Sequence, residues 1–504
     1  MDQFSKYDSA FCGNIPIHII NTVQEYGALV VLDRPALHIR QVSENVSSIF
    51  GKDVKELINK SLQELIRPED NDLLISIIDK NDSEEQILIW QLNNNRHYVN
   101  IHVKENMVLA EINLQPLKAG QQDTFTSQYQ DIRSSIAAIE KAEDLSAACE
   151  IAARELKRIS GFDKVMIYAF DKDWNGNVLA EAMEPDMESY IGFTFPASDI
   201  PKPARDLYLR NAYRFIPDRE FKPMKLYPVI NPISGSFLDM STCNVRAVAA
   251  VHIEYLKNMH VMASMSVRII RDNALWGLIA CHHKTARQVD QQLCAVLELL
   301  SSVISSKISS LEHGAYHNVN TRLKSVYTEL MESIYQGGRL EDSLLADGAG
   351  VRTLLGASGV AITYRKKLIT AGEMPDKQTI EDLILWLHLK QLRKVFSTDA
   401  LPSVFDLDEK FREIASGLLV IPIHSAQDEY IIVFRPEYIR TTNWGGNPEE
   451  RIRFEENQQI YHPRHSFKLW QEQVRGYSKP WLQDEILIAE NLRSFIFELL
   501  SPDR

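Results

Sequence analysis

Arg214 and Arg246 are the residues of this sequence best suited to hold anionic groups. A guanidinium presents a planar fork of donors that matches a carboxylate, through charge-assisted and often bidentate hydrogen bonds. Arg214 follows Tyr208 and Arg210, and Arg246 precedes His252 in "NVRAVAAVHIEYLKNM". Two arginines on a solvated face are the plain alternative, and spacing alone does not separate the readings. The stretch around Arg214, "TFPASDIPKPARDLYLRNAYRFIPD" from Thr194 to Asp218, sets Pro196, Pro201 and Pro203 around Asp199. Proline fixes its own φ, lacks an N–H and restrains the residue before it, so regular helix is excluded before about Pro203. The backbone near Asp199 is therefore held in one irregular shape, and its free N–H and C=O groups must find partners.

Other chemistries find little support. There is no GxxxxGK[ST] phosphate loop, no HExxH, no serine-hydrolase elbow and no kinase motif set. "GAGVRTLLG" has the wrong glycine spacing for a dinucleotide fingerprint. Cys281, His282 and His283 are adjacent, so a strand sends them to alternating faces and they cannot readily close on one zinc ion. His282 reads equally as a satisfied core histidine. The five cysteines, Cys12, Cys149, Cys243, Cys281 and Cys294, are too few and too scattered for a disulfide framework. Cys149 and Cys294 sit in helical apolar patterns and read as packing residues. Cys12 lies in a polar N-terminal segment, where it is either a free surface thiol or a point of covalent attachment.

These residues need a scaffold. A chain of 504 residues suggests about three domains. Its 45% hydrophobic and 24% charged content is ordinary for a globular protein. A net charge of −13 argues against nucleic-acid binding and against a basic membrane-surface protein. No apolar run approaches the roughly 20 residues of a membrane span, and the N-terminus lacks a signal pattern, which gives a cytoplasmic expectation. Short β-type runs up to about Leu117 form one α+β unit. A helix is expected from about Tyr129 to a C-cap at Gly161, followed by strands "KVMIYAFD", "GNVLAEAM", "MHVMASMSVRII" and "ALWGLIACHH" in a second α+β domain. After Thr285 an apolar stripe through Val289, Leu293, Val296, Leu300, Ile304, Ile308 and Leu311 predicts a long helix, a domain connector or a dimer seam. A third α+β unit carries strands "GVAITY" and "LLVIPIH…EYIIVFRP". About forty residues rich in Trp, Gly, Arg and Glu interrupt it, and an amphipathic helix closes the chain.

Five separated motifs, in order, resemble the phytochromes. "RQVSENVSSIFG" is similar to the PAS domain of that family. "FPASDIP", "HIEYLKNMHVMASMSV" and "LWGLIACHH" are similar to its bilin-binding GAF domain, and "WGGNP" with "PRHSF" to the tongue of its PHY domain. The resemblance covers essentially the whole chain. It implies three α+β sensor domains joined by a long helix: an N-terminal segment 1–14, PAS over 15–120, GAF over 125–310, and PHY over 311–504 with a tongue over about 438–477. It also implies an N-terminal figure-of-eight knot, with the segment around "LYPVINPISGSFLDMSTCNVRAV" as lasso. Plant and cyanobacterial phytochromes carry their bilin cysteine just before the histidine that is His252 here. Val251 stands at that position, and Cys12 occupies the N-terminal place used by bacteriophytochromes. The subtype therefore implies biliverdin IXα, joined to Cys12 by a thioether.

Carried over by motif, the implied site is as follows. The Asp199 carbonyl, beside Ile200, accepts from the pyrrole nitrogens, and His252 packs over the pyrroles and holds a water. Arg214 and Arg246 pair with propionates, Ser264 and Ser266 add hydroxyl donors, and Tyr208 supports that side. Tyr168, Phe195 and Tyr255 wall ring D, whose carbonyl bonds His282. Arg464 pairs with the Asp199 side chain, with Ser466 and Trp444 as further signalling residues. Ala249 and Ala250 replace the family's usual Ser-Pro, which puts one propionate contact in doubt, and His260 replaces a usual glycine.

The implied function is a red/far-red photoreceptor, a homodimer through its GAF and PHY helices. Its tongue would refold and signal to a C-terminal output module, often a histidine kinase with a response regulator. The chain itself would be a sensory module rather than an enzyme, with no nucleic-acid, membrane or metal partner. A GAF-type cyclic-nucleotide sensor would use the arginines for phosphate and leave Cys12 and "PRHSF" without a role. A kinase phosphorylated at His317 would lack glycine motifs for ATP.

Overall fold

The computed structural model describes residues 17–34, 36–80, 85–117, 125–336, 339–447, 453–454, 461–462 and 467–500. Cys12, Arg464 and Ser466 lie outside them. The chain divides into two compact units, one formed by residues 1–311 with 443–470, the other by 312–442 with 471–504.

The first unit holds two sheets. In the N-terminal sheet, strands Gly27–Asp33, Ile39–Ser43, Gln86–Leu92, Asn95–Val103 and Met107–Asn113 are joined at one edge by Thr22–Val23 and by Met224–Tyr227. Alternation sends Val30, Leu32, Val99, Ile101 and Ile112 to a face packed with Leu74, Ile77 and Ile78 of helix Pro68–Lys80. The opposite face carries Leu29, Val31 and Leu109, covered by Leu226, Leu238, Met240 and Val245. Residues 224–247 are thus built into the N-terminal domain. They also bond the incoming chain: Met240 donates to the His18 carbonyl, Leu226 to that of Asn21 and Ala247 to that of Thr22. Threading as a knot involves residues 1–14, which lie outside the described residues.

The second sheet runs in the order Tyr213–Ile216, Ala263–Arg271, Ala274–His283, Lys164–Phe170, Gly176–Met183, all antiparallel. Asp272 and Asn273, both at positive φ, make the tight turn between its two longest strands. Val165, Ile167, Phe215, Met265, Val267, Ile279 and Cys281 point to one face. There they pack on helix Leu145–Ser160 and on Leu297, Leu300, Ile304 and Ile308 of helix Gln291–Tyr335. The other face of the sheet is left for the site.

The helix expected over 129–161 is two helices, Phe125–Glu140 and Leu145–Ser160. Asp144 breaks it by capping the second, its carboxylate accepting from the Ala147 N–H at 2.8 Å. The C-cap at Gly161 is as expected, with φ 64°. The long helix Gln291–Tyr335 reaches a mean hydropathy of 1.4, enough by length and composition alone to cross a membrane, although Leu297, Leu300, Ile304 and Ile308 of its apolar stripe are buried in the domain core.

The second unit is a five-stranded sheet in the order Lys367–Gly372, Gly359–Tyr364, Glu429–Arg435, Gly417–His424, Phe396–Thr398. Leu330 and Ile334 pack on one of its faces with Leu492 and Ile496 of helix Gln483–Leu500.

The two departures from the family pattern fall at the ends of helix Ala250–Asn258. Ala249 is its N-cap residue and supplies no side-chain acceptor, and His260 follows its end at φ 57°. A glycine adopts that left-handed backbone without the Cβ penalty that His260 carries. Ala249→Ser should raise unfolding free energy by about 1 kcal/mol through capping, and His260→Gly by about 0.5–1 kcal/mol after the entropy cost of glycine. Urea titration of each variant checks both, and an unchanged midpoint for either removes its cause.

Candidate functional site

Register converges the site residues on the open face of the second sheet. Arg214 sits opposite Ser266, and Ser264 opposite His282, which in turn faces Lys164. Tyr168 faces Leu278 one strand over. Because side chains alternate, all of these point away from the helices. Above them lie the loop through Asp199, helix Lys202–Arg210 with Tyr208, and helix Ala250–Asn258 with His252 and Tyr255. Together they enclose a cavity of about 240 Å³. Tyr168, Phe195, Asp199, Ile200, Tyr208, Arg214, Arg246, His252, Tyr255, Ser264, Ser266 and His282 all line it. Ala249 and Val251 also reach its wall.

The irregular loop is fixed from several sides. Arg205 donates to the Ile200 carbonyl at 2.6 Å and stacks its guanidinium on Trp174, 4.6 Å from the ring centre. Asp199 ends a single turn in which its N–H bonds the Pro196 carbonyl, and its carboxylate accepts from the Tyr255 hydroxyl at 3.0 Å. The Ser198 hydroxyl is buried without a partner among the described residues.

The two arginines are held by backbone. Arg214 donates to the carbonyls of Asn244 at 2.6 Å and Ala247 at 3.1 Å, and also to that of Arg246. Arg246 donates to the Met240 carbonyl at 3.1 Å. Neither makes an ion pair with a carboxylate among the described residues. Burial, and then the neighbouring charge of Arg214, push Arg246 down to about 9. Two desolvated like charges at the wall of a cavity are costly, and an anion between them offsets that cost. Ser266 adds a hydroxyl there, on the same wall as the phenol of Tyr208, whose pKa burial raises.

Both histidines are neutral. Burial, with Arg214 adding to it, holds His252 down at about 4. Burial, followed by the charges of Lys164 and His252, holds His282 down at about 3. A neutral imidazole offers one donor and one acceptor. The His252 ring lies nearly parallel to Tyr255, 6.0 Å away and 9° off.

One end of the cavity is an aromatic box. Phe195 meets Tyr168 at 6.2 Å, Tyr190 at 5.7 Å and Phe467 at 6.5 Å, and Phe467 meets Tyr255 edge-on at 5.2 Å. Residues 443–470 thus return to this unit, and Trp444 pairs in parallel with Thr194. Sequence reasoning missed Tyr190 and Lys164. Lys164 is buried, donates to the Glu188 carbonyl at 2.6 Å and lies 3.6 Å over the Tyr190 ring. Alternation with Met166 and Tyr168 was the available signal for Lys164; Tyr190 sits in a loop and gave none. Phe467 belongs to the "PRHSF" motif, but its ring contacts are visible only in the fold. His283 points the other way, its Nδ1 2.9 Å from the Asp163 carboxylate, as adjacency in a strand requires.

Comparison with known proteins agrees with this architecture. The sequence matches the PAS fold over residues 12–115, the GAF domain over 144–308 and the phytochrome region over 323–504. It is 30% identical to a bacteriophytochrome of Pseudomonas aeruginosa over 99% of this chain and 68% of that protein. The chain belongs to the phytochrome family. It is also 34% identical to cyanobacterial phytochrome B of Nostoc sp., over 98% of this chain and 66% of that protein. The chain therefore spans about two thirds of such curated phytochromes. Among solved structures, a bacteriophytochrome from the photosynthetic bacterium R. palustris superposes with a TM-score of 0.82 at 32% identity, covering 97% of this chain and 98% of that one. The phytochrome photosensory core of Stigmatella aurantiaca superposes at 0.79 and 31% identity, covering 98% and 99%. Phytochromes are bilin-binding photoreceptors, and a PAS–GAF–PHY photosensory core is the architecture found here. The pair of guanidiniums, without carboxylate partners among the described residues, and the aromatic box fit a flat ligand bearing two carboxylates.

The depressed histidines make a pH prediction. A histidine held near 4 or 3 when folded, against about 6.5 when unfolded, binds fewer protons in the native state between those values. Stability should therefore be complete above about pH 6.5 and fall as pH drops toward 4. Urea unfolding of the ligand-free protein at pH 7, 6, 5 and 4 measures the slope. His252→Gln and His282→Gln should each flatten it, and an unaltered slope in both would show that other groups govern the loss.

Proposed function

We propose that this chain is the sensory part of a red/far-red photoreceptor that holds biliverdin IXα covalently through Cys12. The observation that carries the reading is the Arg214–Arg246 pair, buried at a cavity wall and held only by backbone carbonyls among the described residues. The bilin supplies light absorption and isomerisation of the double bond between its rings C and D.

The residues of this chain do the rest. Arg214 and Arg246 hold the two propionates, with Ser264 and Ser266 as hydroxyl donors. The Asp199 carbonyl accepts from the pyrrole nitrogens, while Tyr255 keeps the Asp199 carboxylate in place. Neutral His252 holds a water at the pyrroles, and neutral His282 donates to the ring D carbonyl. Tyr168, Phe195 and Tyr255 leave ring D room to turn. Cys12 is five residues before Ile17, which lines the cavity, and five residues span at most roughly 17 Å. Val251, on the first turn of its helix, leaves no thiol at the alternative site.

Signalling would pass through Arg464, Ser466 and Trp444. Arg464 pairs with Asp199 in one state only, and the tongue over about 438–477 refolds from hairpin toward helix. That is a two-state element biased by a local bonding change. The receiver is a C-terminal output module, often a histidine kinase acting on a response regulator, in a cytoplasmic homodimer. Exposed Tyr316 and Val319 on helix Gln291–Tyr335 suit a dimer seam.

The chain purified with biliverdin should be coloured and show a reversible red/far-red difference spectrum. A colourless protein that binds a cyclic nucleotide through the same arginines would replace this reading with a phosphate sensor. Cys12→Ala should still bind biliverdin but lose the covalent link, seen as loss of zinc-induced fluorescence on a denaturing gel. Fluorescence that persists would move the attachment elsewhere. Arg464→Ala should leave the dark spectrum roughly intact and shorten the lifetime of the far-red state. Dark decay at the wild-type rate in that variant would count against the Asp199 contact.

A further inference from the structure

His102, Glu111 and Cys243 meet on the N-terminal sheet, on the face covered by residues 224–247. His102 and Glu111 lie on neighbouring antiparallel strands, where the register pairs His102 with Leu109 and Asn100 with Glu111. They are therefore diagonal neighbours on one face. Cys243 approaches from the covering segment. The ligand atoms of the three residues all lie within 4.8 Å of one another, and all three residues are buried. His102 Nε2 is 2.5 Å from one oxygen of Glu111, whose other oxygen accepts from the Val245 N–H at 2.8 Å. Around them lie the apolar side chains of Leu29, Val31, Leu109 and Met240 together with the charged groups of Glu85, Lys104 and Arg246.

Without a cation the three residues are a hydrogen-bonded imidazole–carboxylate pair with a thiol beside it, drawn from two segments of the chain and buried. A divalent metal would give all three one common partner.

We infer that His102, Glu111 and Cys243 form a zinc site that ties the PAS hairpin to the segment carrying Asn244 and Arg246. One nitrogen, one oxygen and one sulfur donor suit zinc, with water in the fourth position. Bond lengths of about 2.0–2.3 Å put tetrahedral donors roughly 3.3–3.7 Å apart. That separation falls inside the observed grouping, except that His102 and Glu111 must part by about 1 Å. The charges balance. Zinc displaces one proton shared by the His102–Glu111 pair and one from the Cys243 thiol, and leaves a neutral site of imidazole, carboxylate, thiolate and Zn²⁺. Cys243 also lines the cavity, whereas His102 and Glu111 do not, and metal retention is read with the cavity empty.

The test uses the full chain, stripped of metal, incubated with zinc, desalted and analysed by elemental mass spectrometry. Close to one zinc per chain should be retained, with a raised Tm. Cobalt in place of zinc should give a thiolate-to-cobalt charge-transfer band. Cys243→Ser and His102→Gln, each checked for folding by circular dichroism, should lower metal affinity at least about tenfold and abolish that band. Retention below about a tenth of an equivalent with an unmoved Tm overturns the site. Equal retention by both folded variants overturns it as well, because the metal is then held elsewhere.

Discussion

The structure turns on two guanidiniums that repel one another, Arg246 buried and Arg214 half-buried. Arg214 belongs to a strand of the GAF sheet, and Arg246 to the segment that crosses to the PAS sheet. What keeps them together is a set of backbone carbonyls, at Met240, Asn244, Arg246 and Ala247, all on that crossing segment. The crossing segment is in turn held by PAS residues. Gln24 bonds the Val245 and Arg246 carbonyls, Glu111 the Val245 N–H, and Thr22 the Ala247 N–H. The cation pair therefore depends on two domains being folded against each other. A carbonyl cradle lowers the cost of two desolvated cations but does not cancel their charge. The remaining positive potential points at the cavity, which is why an anionic ligand is the natural complement of this arrangement.

The other end of the cavity has the opposite character. Tyr168, Tyr190, Phe195 and Tyr255 line it with aromatic rings, and Phe467 packs behind Phe195 and Tyr255. A charged end that orients and an apolar end that permits rotation are what a pivoting ligand requires. Lys164 sits just behind this lining and opposite His282. Its charge reinforces the neutral state that burial already imposes on His282.

Much of this was legible in the sequence because it rests on local rules. The prolines around Asp199 announce a fixed irregular loop, whereas Ser264, Ser266 and His282 were expected from the family resemblance and the strand register then sets them on one face. Other features are products of the fold. Asp144 looks like one more acidic residue in a helical run, yet its position lets it cap a new helix. His260 has no visible cost until its backbone is seen to be left-handed. Ala249 looked like a lost ligand contact. It does reach the cavity wall, but it also stands at a helix N-cap, so a serine there would have a second reason to exist. The arginines were legible as anion binders, whereas their carbonyl cradle joins residues some thirty positions apart.

Tyr255 joins the parts of the site. Its hydroxyl donates to the Asp199 carboxylate, its ring lies parallel to His252, and its edge meets Phe467 from the segment that returns through Trp444. A rigid phenol cannot shift at one of these contacts without disturbing the other two. Displacing Phe467 would free the ring, and freeing the ring would weaken the hold on Asp199. By the same coupling, a competing partner for the Asp199 carboxylate would release the Tyr255 hydroxyl and alter the surface on which Phe467 packs. Packed interfaces of this kind have discrete alternatives rather than a continuum. A change of hydrogen bonding of a few kcal/mol around Asp199 is large enough to choose between two such arrangements. The coupling needs no long pathway, because the ring touches the loop, the histidine and the returning segment at once.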